Sequence, residues 1–466
     1  MIATAPEQNA EFSDIITVHN PFDNQQIGEI PVTHSDEIAH LVQRSTQAAS
    51  KFRHSMPSER RALLNALVDE IKKDQEHLAK LICLEMGKTI REARNEVRRA
   101  CNTLLLSGDA ATFLDGEVLH CGIVSGGVDR QATITYVPVG VVGAITPFNY
   151  PLNLLCHKLG PAIAAGNAII AKPSPKAPLA AEHLCELARR AGFPTDLFQM
   201  IHGGASQALA LAGSPIDLLS FTGGEQAGLA LKKACGLIPT LMELGGNDPL
   251  FVLADADIPS AVATTVAQRF EIAGQSCAAV KKLYLHEGIK ESFINQLLPA
   301  VEAIKFGDPR EESTDMGSVI DETAAIEVCN RIGQAIDQGG ELLLGGTRDG
   351  TLVTPTVIDQ VATTCDLFAR ETFGPVISIR SFTDLKAATE ETNSSGFGLQ
   401  AGIFSNDHAL IRELGRQIQV GGLMVNEGPD FRAEHVPFGG IKRSGIGREG
   451  VRITLREMSE TKVIID

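Results

Sequence analysis

Tryptophan is missing from this chain of 466 residues, and only three tyrosines accompany its 19 phenylalanines. No stretch of eighteen or more apolar residues occurs, so no segment reads as a membrane-spanning helix. Met1 to Asp14 carries acidic and polar residues where a secretory signal needs a basic start and an apolar run, and a cytoplasmic location is expected. Positive charge is in deficit: 41 Lys and Arg against 57 Asp and Glu leave a formal net charge of −16. That surplus repels phosphate backbones and anionic lipid, so neither nucleic acid nor a membrane surface is expected as the main partner. The nine cysteines are odd in number and scattered, with no Cys-x-x-Cys pair and no His at zinc-ligand spacing. Reduced thiols fit best, and no metal site is expected.

What is present is an ordinary globular composition, 44% hydrophobic and 21% charged, long enough for two or three domains. From Ser35 to about Leu114 apolar residues recur at three and four, as in Leu63, Leu64, Leu67 and Ile71, which predicts a helical layer. Gly116 to Tyr136 changes to glycine turns and then the alternation Ala132 to Tyr136, the pattern of a β-hairpin. After Pro138 short apolar runs (Val141–Ile145, Ala168–Ala171, Phe198–Ile201, Leu218–Phe221) alternate with helical stretches, and a second such alternation runs from Pro249 to about Asn426. Its strand candidates lie near Phe251, Leu283, Val357, Val376, Ile403 and Met424. The class is α/β, with ligands expected beyond the carboxyl ends of parallel strands. A GxGxxG fingerprint is absent after the first strand, and Gly87-Lys88-Thr89, inside a helical stretch, lacks the P-loop's first glycine because Ile82 stands there.

The chemistry-bearing segments sit where strands end: Thr146-Pro147-Phe148-Asn149-Tyr150-Pro151, Lys172-Pro173-Ser174, and Phe221-Thr222-Gly223-Gly224. Further along come Glu243-Leu244-Gly245-Gly246, Gly274-Gln275-Ser276-Cys277, Glu371-Thr372-Phe373-Gly374-Pro375 and Pro437-Phe438-Gly439-Gly440. A Cys, a Glu and an Asn in such loops suit covalent catalysis with a thiolate nucleophile, a carboxylate base and an amide donor to an oxyanion. Each motif alone is weak. The ordered set, spanning essentially the whole chain, resembles the aldehyde dehydrogenase superfamily.

That resemblance implies a Rossmann-type cofactor domain over 1–116 and 139–245, an α/β catalytic domain over 246–445, and an oligomerisation element from 117–138 and 459–466. A homodimer or homotetramer follows from it. It implies Cys277 as nucleophile, Asn149 as oxyanion donor, Glu243 as the base that activates water on a thioester, and Glu449 as a second carboxylate relaying protons. A NAD or NADP cofactor would meet Thr146, Pro147, Phe148, Lys172, Ser174, Lys176, Gly223, Gly228, Leu244, Glu371 and Phe373. Three residues after Lys172, many NAD-preferring members carry a Glu that repels a 2′-phosphate. Here Pro175 stands, followed by Lys176, so NADP is expected to be accepted.

Within the superfamily, Lys-Pro-Ser-Pro-Lys and residues 315–322 look most like the lactaldehyde and phosphonoacetaldehyde dehydrogenase subgroup, which handles small polar or anionic aldehydes. His157, Arg98, Arg99, Arg432 and Phe438 are the candidates for holding such a substrate. Ser276 stands where phosphonoacetaldehyde enzymes often carry Arg, which weakens the phosphonate reading and favours a small hydroxy- or otherwise polar aldehyde such as lactaldehyde, with phosphonoacetaldehyde and succinic semialdehyde as the alternative substrates. Two alternatives are weighed. In a CoA-acylating enzyme Glu243 would be out of place, and in a non-catalytic structural relative at least one of Cys277, Asn149, Glu243 and Lys172 would be expected to have drifted.

Overall fold

The computed structural model describes residues 14–466. The signal-segment reading and the start of the 1–116 unit therefore lie, up to residue 13, outside the described residues. Among the described residues, no helix is long and apolar enough to cross a membrane.

An antiparallel pair, Ile15–His19 with Gln26–Pro31, opens the described chain and precedes anything the helical periodicity signals. The helical layer is four helices: α1 (Ser35–Phe52), α2 (Pro57–Lys73), α3 (Gln75–Met86) and α4 (Ile90–Ala110). Leu64, Leu67 and Ile71, one stripe of α2, are fully buried. Gly87-Lys88-Thr89 is a break between α3 and α4, which corrects the expectation of a helix interior there. Gly87 ends α3 at φ 78°, Thr89 caps α4, and the Lys88 ammonium is sealed against Glu96 at 2.7 Å.

The first core surrounds a six-stranded sheet. Five strands are parallel: Val141–Ile145, Ala168–Lys172, Phe198–Met200, Leu218–Thr222 and Thr240–Glu243. They alternate with α5 (Asn153–Ala165), α6 (Leu179–Arg190), α7 (Ala205–Ala212) and α8 (Glu225–Cys235). The strand 141–145 lies between 168–172 and 218–222, so the succession reverses there. Such a reversal opens a crevice at the carboxyl ends of the strands.

The second core surrounds a seven-stranded sheet ordered 341–344, 356–359, 376–382, 282–286, 249–252, 400–404, 422–425, parallel except for its first edge strand. The chain then returns. Gly445–Ile446 pairs antiparallel with Met242 and Glu243, and the helix Val451–Glu457 buries Val451 and Leu455 in the first core. Residues 446–458, which the sequence assigns to no unit, thus pack with the first. A third, antiparallel sheet joins Glu117–His120, Gln131–Pro138 and Ser459–Ile465, and leaves Val118, Ile123 and Val463 exposed.

Candidate active site

Between the two cores lies a cavity of about 340 Å³. From the six-stranded sheet its wall takes Pro147, Phe148 and Asn149, then Thr222, Gly223 and Gly224, then Glu243 and Leu244, each group at or just after a strand end. The opposite wall carries Gln275, Ser276 and Cys277, with Glu371, Phe373, Arg432, Phe438 and Glu449.

Cys277 is half-buried and follows an unusual turn. Ile272, Ala273 and Gly274 lie consecutively in the left-handed region at φ 46°, 53° and 71°. For a β-branched residue such as Ile272 this backbone is strained. Gly274 is required there for a second reason, because a Cβ would meet the Gly374 carbonyl oxygen at 2.3 Å. The turn is held from outside. One oxygen of Glu92 accepts from the Ile272 amide at 2.7 Å while the other accepts from the Thr89 amide and hydroxyl, so the cap of α4 also grips the turn. Gln275 closes it internally by donating to the Ile272 carbonyl at 3.0 Å. Behind the nucleophile, Lys281 donates to the carbonyls of Ser276 and Cys277 and reaches Glu371 at 3.2 Å. Burial pushes the Cys277 thiol up and outweighs the opposing field of Lys281.

Asn149 faces this turn: its amide donates to the Gln275 carbonyl at 2.9 Å and its oxygen accepts from the Tyr150 amide. One amide hydrogen thus spans the two walls, and the second is available to a ligand. Glu243 ends its strand as a buried carboxyl whose Oε2 has no hydrogen-bond partner among the described residues. Gly439, at φ 146°, makes room for it, since a Cβ there would come within 2.3 Å of Glu243 Oε1. Burial, then the charge of Glu449, raise Glu243 well above the usual carboxylate range. Burial alone would raise Glu449 too, yet Lys158 at 2.7 Å and Arg432 at 3.0 Å pull it well below. Two carboxyls on one cavity are thereby driven apart, one neutral and one charged.

Of the cofactor candidates, Pro147, Phe148, Lys176, Gly223, Leu244, Glu371 and Phe373 line the cavity, whereas Thr146, Lys172, Ser174 and Gly228 do not. Phe148 and Phe373 meet edge to face at 6.4 Å. Buried Arg269 donates to the carbonyls of Thr372 and Gly374, fixing the loop that carries Phe373. Among the described residues, Thr146 Oγ1 is buried without a partner and Lys172 donates only to the Pro173 carbonyl, with burial lowering its pKa to about 8.

Two substrate candidates leave the site. Arg98 sits on the exposed face of α4 and donates to Asn95 of its own helix. His157 is fully buried in α5, 2.7 Å from Glu434, off the cavity wall. Arg99, Arg432 and Phe438 do line the cavity: Arg99 is anchored by Glu434 at 2.7 Å, and Arg432 lies 4.3 Å over the Phe438 ring. Sequence reasoning missed Glu271 and Asp430, which also line it. Asp430 accepts from the Ser276 hydroxyl at 2.8 Å, and burial, then Asp430, push Glu271 up to about 7. Neither carried a signal, because a lone acid in a loop matches no pattern until the fold brings it to the cavity.

Residues 8–464 match the model of the aldehyde dehydrogenase family. The chain is 37% identical to a sulfoacetaldehyde dehydrogenase of Neptuniibacter caesariensis, across 97% of this chain and 100% of that protein. It is 35% identical to a lactaldehyde dehydrogenase of Methanococcus aeolicus, across 97% of each. A crystal structure of glyceraldehyde-3-phosphate dehydrogenase from Methanocaldococcus jannaschii, complexed with NADP, superposes with a TM-score of 0.93 at 34% identity, over 97% of this chain and 98% of that one.

Proposed function

The chain belongs to the aldehyde dehydrogenase family, and from that premise we propose that it oxidises a small polar or anionic aldehyde to its carboxylate with NAD or NADP, through a thioester on Cys277. The observation that carries this reading is the meeting of Cys277, the Asn149 amide and the unpartnered Glu243 carboxyl on one cavity.

The residues fit a dinucleotide. The orphaned hydroxyl of Thr146 and the under-used ammonium of Lys172 follow adjacent strands, where sugar hydroxyls would satisfy them. Gly224 opens α8, whose first N–H groups suit a pyrophosphate. The dinucleotide supplies, when bound, the hydride acceptor of the oxidation.

Cys277 gives up its thiol proton to water and attacks the aldehyde carbon as the thiolate, and the free Asn149 amide hydrogen stabilises the oxyanion of the thiohemiacetal. Loss of hydride leaves the thioester. Glu243 then takes a proton from water as the water attacks the acyl carbon, and the carbon–sulfur bond breaks to free the acid and return the Cys277 sulfur, a role suited to a carboxyl whose raised pKa makes it a strong base once ionised. Glu449, with both oxygens held by Lys158 and Arg432, serves as a fixed charge that tunes Glu243 rather than as a proton carrier. The remaining N–H groups of Arg99 and Arg432 suit an anionic or hydroxylated tail, in keeping with the aldehydes named for the relatives. Free of a carboxylate at 175, Lys176 suits NADP as well as NAD.

The test is a panel of sulfoacetaldehyde, lactaldehyde, phosphonoacetaldehyde, succinic semialdehyde and propanal, each with NAD and with NADP and without CoA. The expected result is free acid, with kcat/KM for a charged or hydroxylated aldehyde at least about tenfold above propanal, or roughly 1.4 kcal/mol. Equal rates for propanal would overturn the substrate class, and full turnover by Cys277→Ala the mechanism.

A further inference from the structure

We propose that Glu271 and Asp430 form a seat for an ammonium group, so that the aldehyde this cavity takes carries an amine as well as its anionic tail. The inference rests on the reading of the cavity as the site of a small polar or anionic aldehyde and names a further group by which that aldehyde is recognised.

Charge on the cavity wall is unevenly balanced. Arg99 is paired with Glu434 at 2.7 Å and Arg432 with Glu449 at 3.0 Å, while Glu371 is paired with Lys281 at 3.2 Å. Glu271 and Asp430 line the same cavity, and among the described residues neither enters an ion pair. Charged side chains withdrawn from water are ordinarily paired. Asp430 Oδ1 accepts from the Ser276 hydroxyl at 2.8 Å, and its Oδ2 is buried with no partner among the described residues. The Asp430 amide donates to Gln268 at 2.8 Å, on the helix Ile258–Phe270, and Glu271 follows that helix at the start of the left-handed turn. Both acids are thus fixed to the segment that carries Cys277. That the cavity takes a ligand stands on separate ground, since Glu243, 4% exposed, brings to it an oxygen without a partner.

The two acids act on each other: burial, then the charge of Asp430, push Glu271 up to about 7, and burial raises Asp430 as well. A cation beside them relieves both the desolvation and the repulsion. A tail that is only anionic leaves that cost in place, because it meets two guanidinium groups already neutralised and two carboxyls that oppose it. A tail with both charges uses both sets. Its anionic group takes the remaining N–H groups of Arg99 and Arg432, and its ammonium has three donors for the Glu271 carboxyl, Asp430 and the lone pairs of Ser276 Oγ. A hydroxyl brings one donor and no charge.

Succinic semialdehyde and 2-amino-4-oxobutanoate share skeleton, carboxylate and aldehyde, and differ by the amine alone. The measurement is the ratio of kcat/KM for the amino compound to that for succinic semialdehyde, in the unsubstituted protein, in Glu271→Gln and in Asp430→Asn, whose oxygen still accepts from Ser276. The unsubstituted protein is expected to favour the amino compound roughly ten- to hundredfold, the size of a hydrogen bond to a charged group, and each variant to lose most of that preference. A merely structural defect would slow both aldehydes alike and leave the ratio where it was. A ratio of one or below in the unsubstituted protein, with any other polar aldehyde of the panel oxidised, would overturn the ammonium seat and leave the reading of the cavity standing. A preference that both variants keep would overturn the role of these two acids. No turnover of any aldehyde would overturn the reading of the cavity, and this inference with it.

Discussion

On the six-stranded side of the cavity, Asn149 follows and Glu243 ends a parallel strand whose every residue is buried. On the other side, Cys277 follows three consecutive left-handed residues pinned by a glutamate from a distant helix. The first wall gets its geometry from hydrogen-bonded strands and needs no special backbone. The second holds the nucleophile on a backbone that L residues disfavour, and only its surroundings keep it there. Chemistry and stability should therefore separate on the first wall and move together on the second.

The largest effect tests the first half of that contrast. Glu243 Oε2 has no partner to lose, so Glu243→Gln should leave the thermal midpoint within a degree or two while lowering kcat by about 10²- to 10⁴-fold. A single-turnover burst of reduced cofactor should survive, because only hydrolysis needs the base. Loss of the burst in proportion to kcat would place Glu243 before the thioester instead. Glu92→Ala tests the second half. It removes the reciprocal half of the capping box of α4 and leaves the buried Ile272 amide unpaired, at a cost of about 2–3 kcal/mol in urea unfolding, and kcat should fall with it. Unchanged kcat in a destabilised Glu92→Ala would show that the turn does not need its grip.

The same contrast explains what could be read from the sequence. Strand ends announce themselves: an apolar run such as Val141–Ile145 stops, and a polar residue such as Asn149 follows within a few positions. The βα alternation, the hairpin and most of the cavity's residues were legible on that basis. The left-handed turn was not, because Ile272 and Ala273 are residues that argue against such a backbone, and Glu92 lies 180 positions away in what looks like an ordinary capping box. His157 misled for the opposite reason. Its position, eight residues after Asn149, suits a ligand, but α5 turns it into the interior, where Thr103 and Glu434 meet it.

That burial has a pH signature. His157 donates from Nε2 to Glu434, and its Nδ1 is buried without a partner, so a second proton has nowhere to bond. Burial accordingly lowers its pKa to about 4. With the folded value depressed, the unfolded chain binds the extra proton first as pH falls below about 6.5. Stability present above that pH is lost on acidification. Glu434, held to about 2 through His157 and Arg99 against its own desolvation, adds its loss only below about 4.5. From pH 6.5 to 4.5 His157 contributes a fall of about 2 kcal/mol, while buried carboxyls with raised pKa values, Glu271 at about 7 among them, add stability over the same interval, so the His157 part is read as a difference between two proteins. His157→Gln should remove that fall, so that stability drops less, or rises more, on acidification than in the unsubstituted protein. Identical pH dependence in the two proteins would deny His157 the loss, and a substrate KM that shifts in the variant would return His157 to the site.

The smallest effect compares the two walls directly with one substitution. Ala144 lies in the strand Val141–Ile145, and Ala273 in the left-handed turn; both are buried. Replacing either with glycine removes one buried methyl, about 0.8 kcal/mol, and loosens the unfolded chain by about 0.4–1 kcal/mol. These costs are common to both and cancel in the difference. What remains is the left-handed backbone, which penalises alanine by roughly 1–2 kcal/mol and glycine by almost nothing. Ala144→Gly should therefore lower the urea midpoint clearly, and Ala273→Gly should leave it close to that of the unsubstituted protein, a gap of about 1–2 kcal/mol between the two variants. Equal losses would mean that the turn stores no strain and that the two walls differ in appearance only. If the gap is found and Ala273→Gly also loses kcat, then the strain is what holds Cys277 in its attacking position, since the substitution removes no group that touches a ligand.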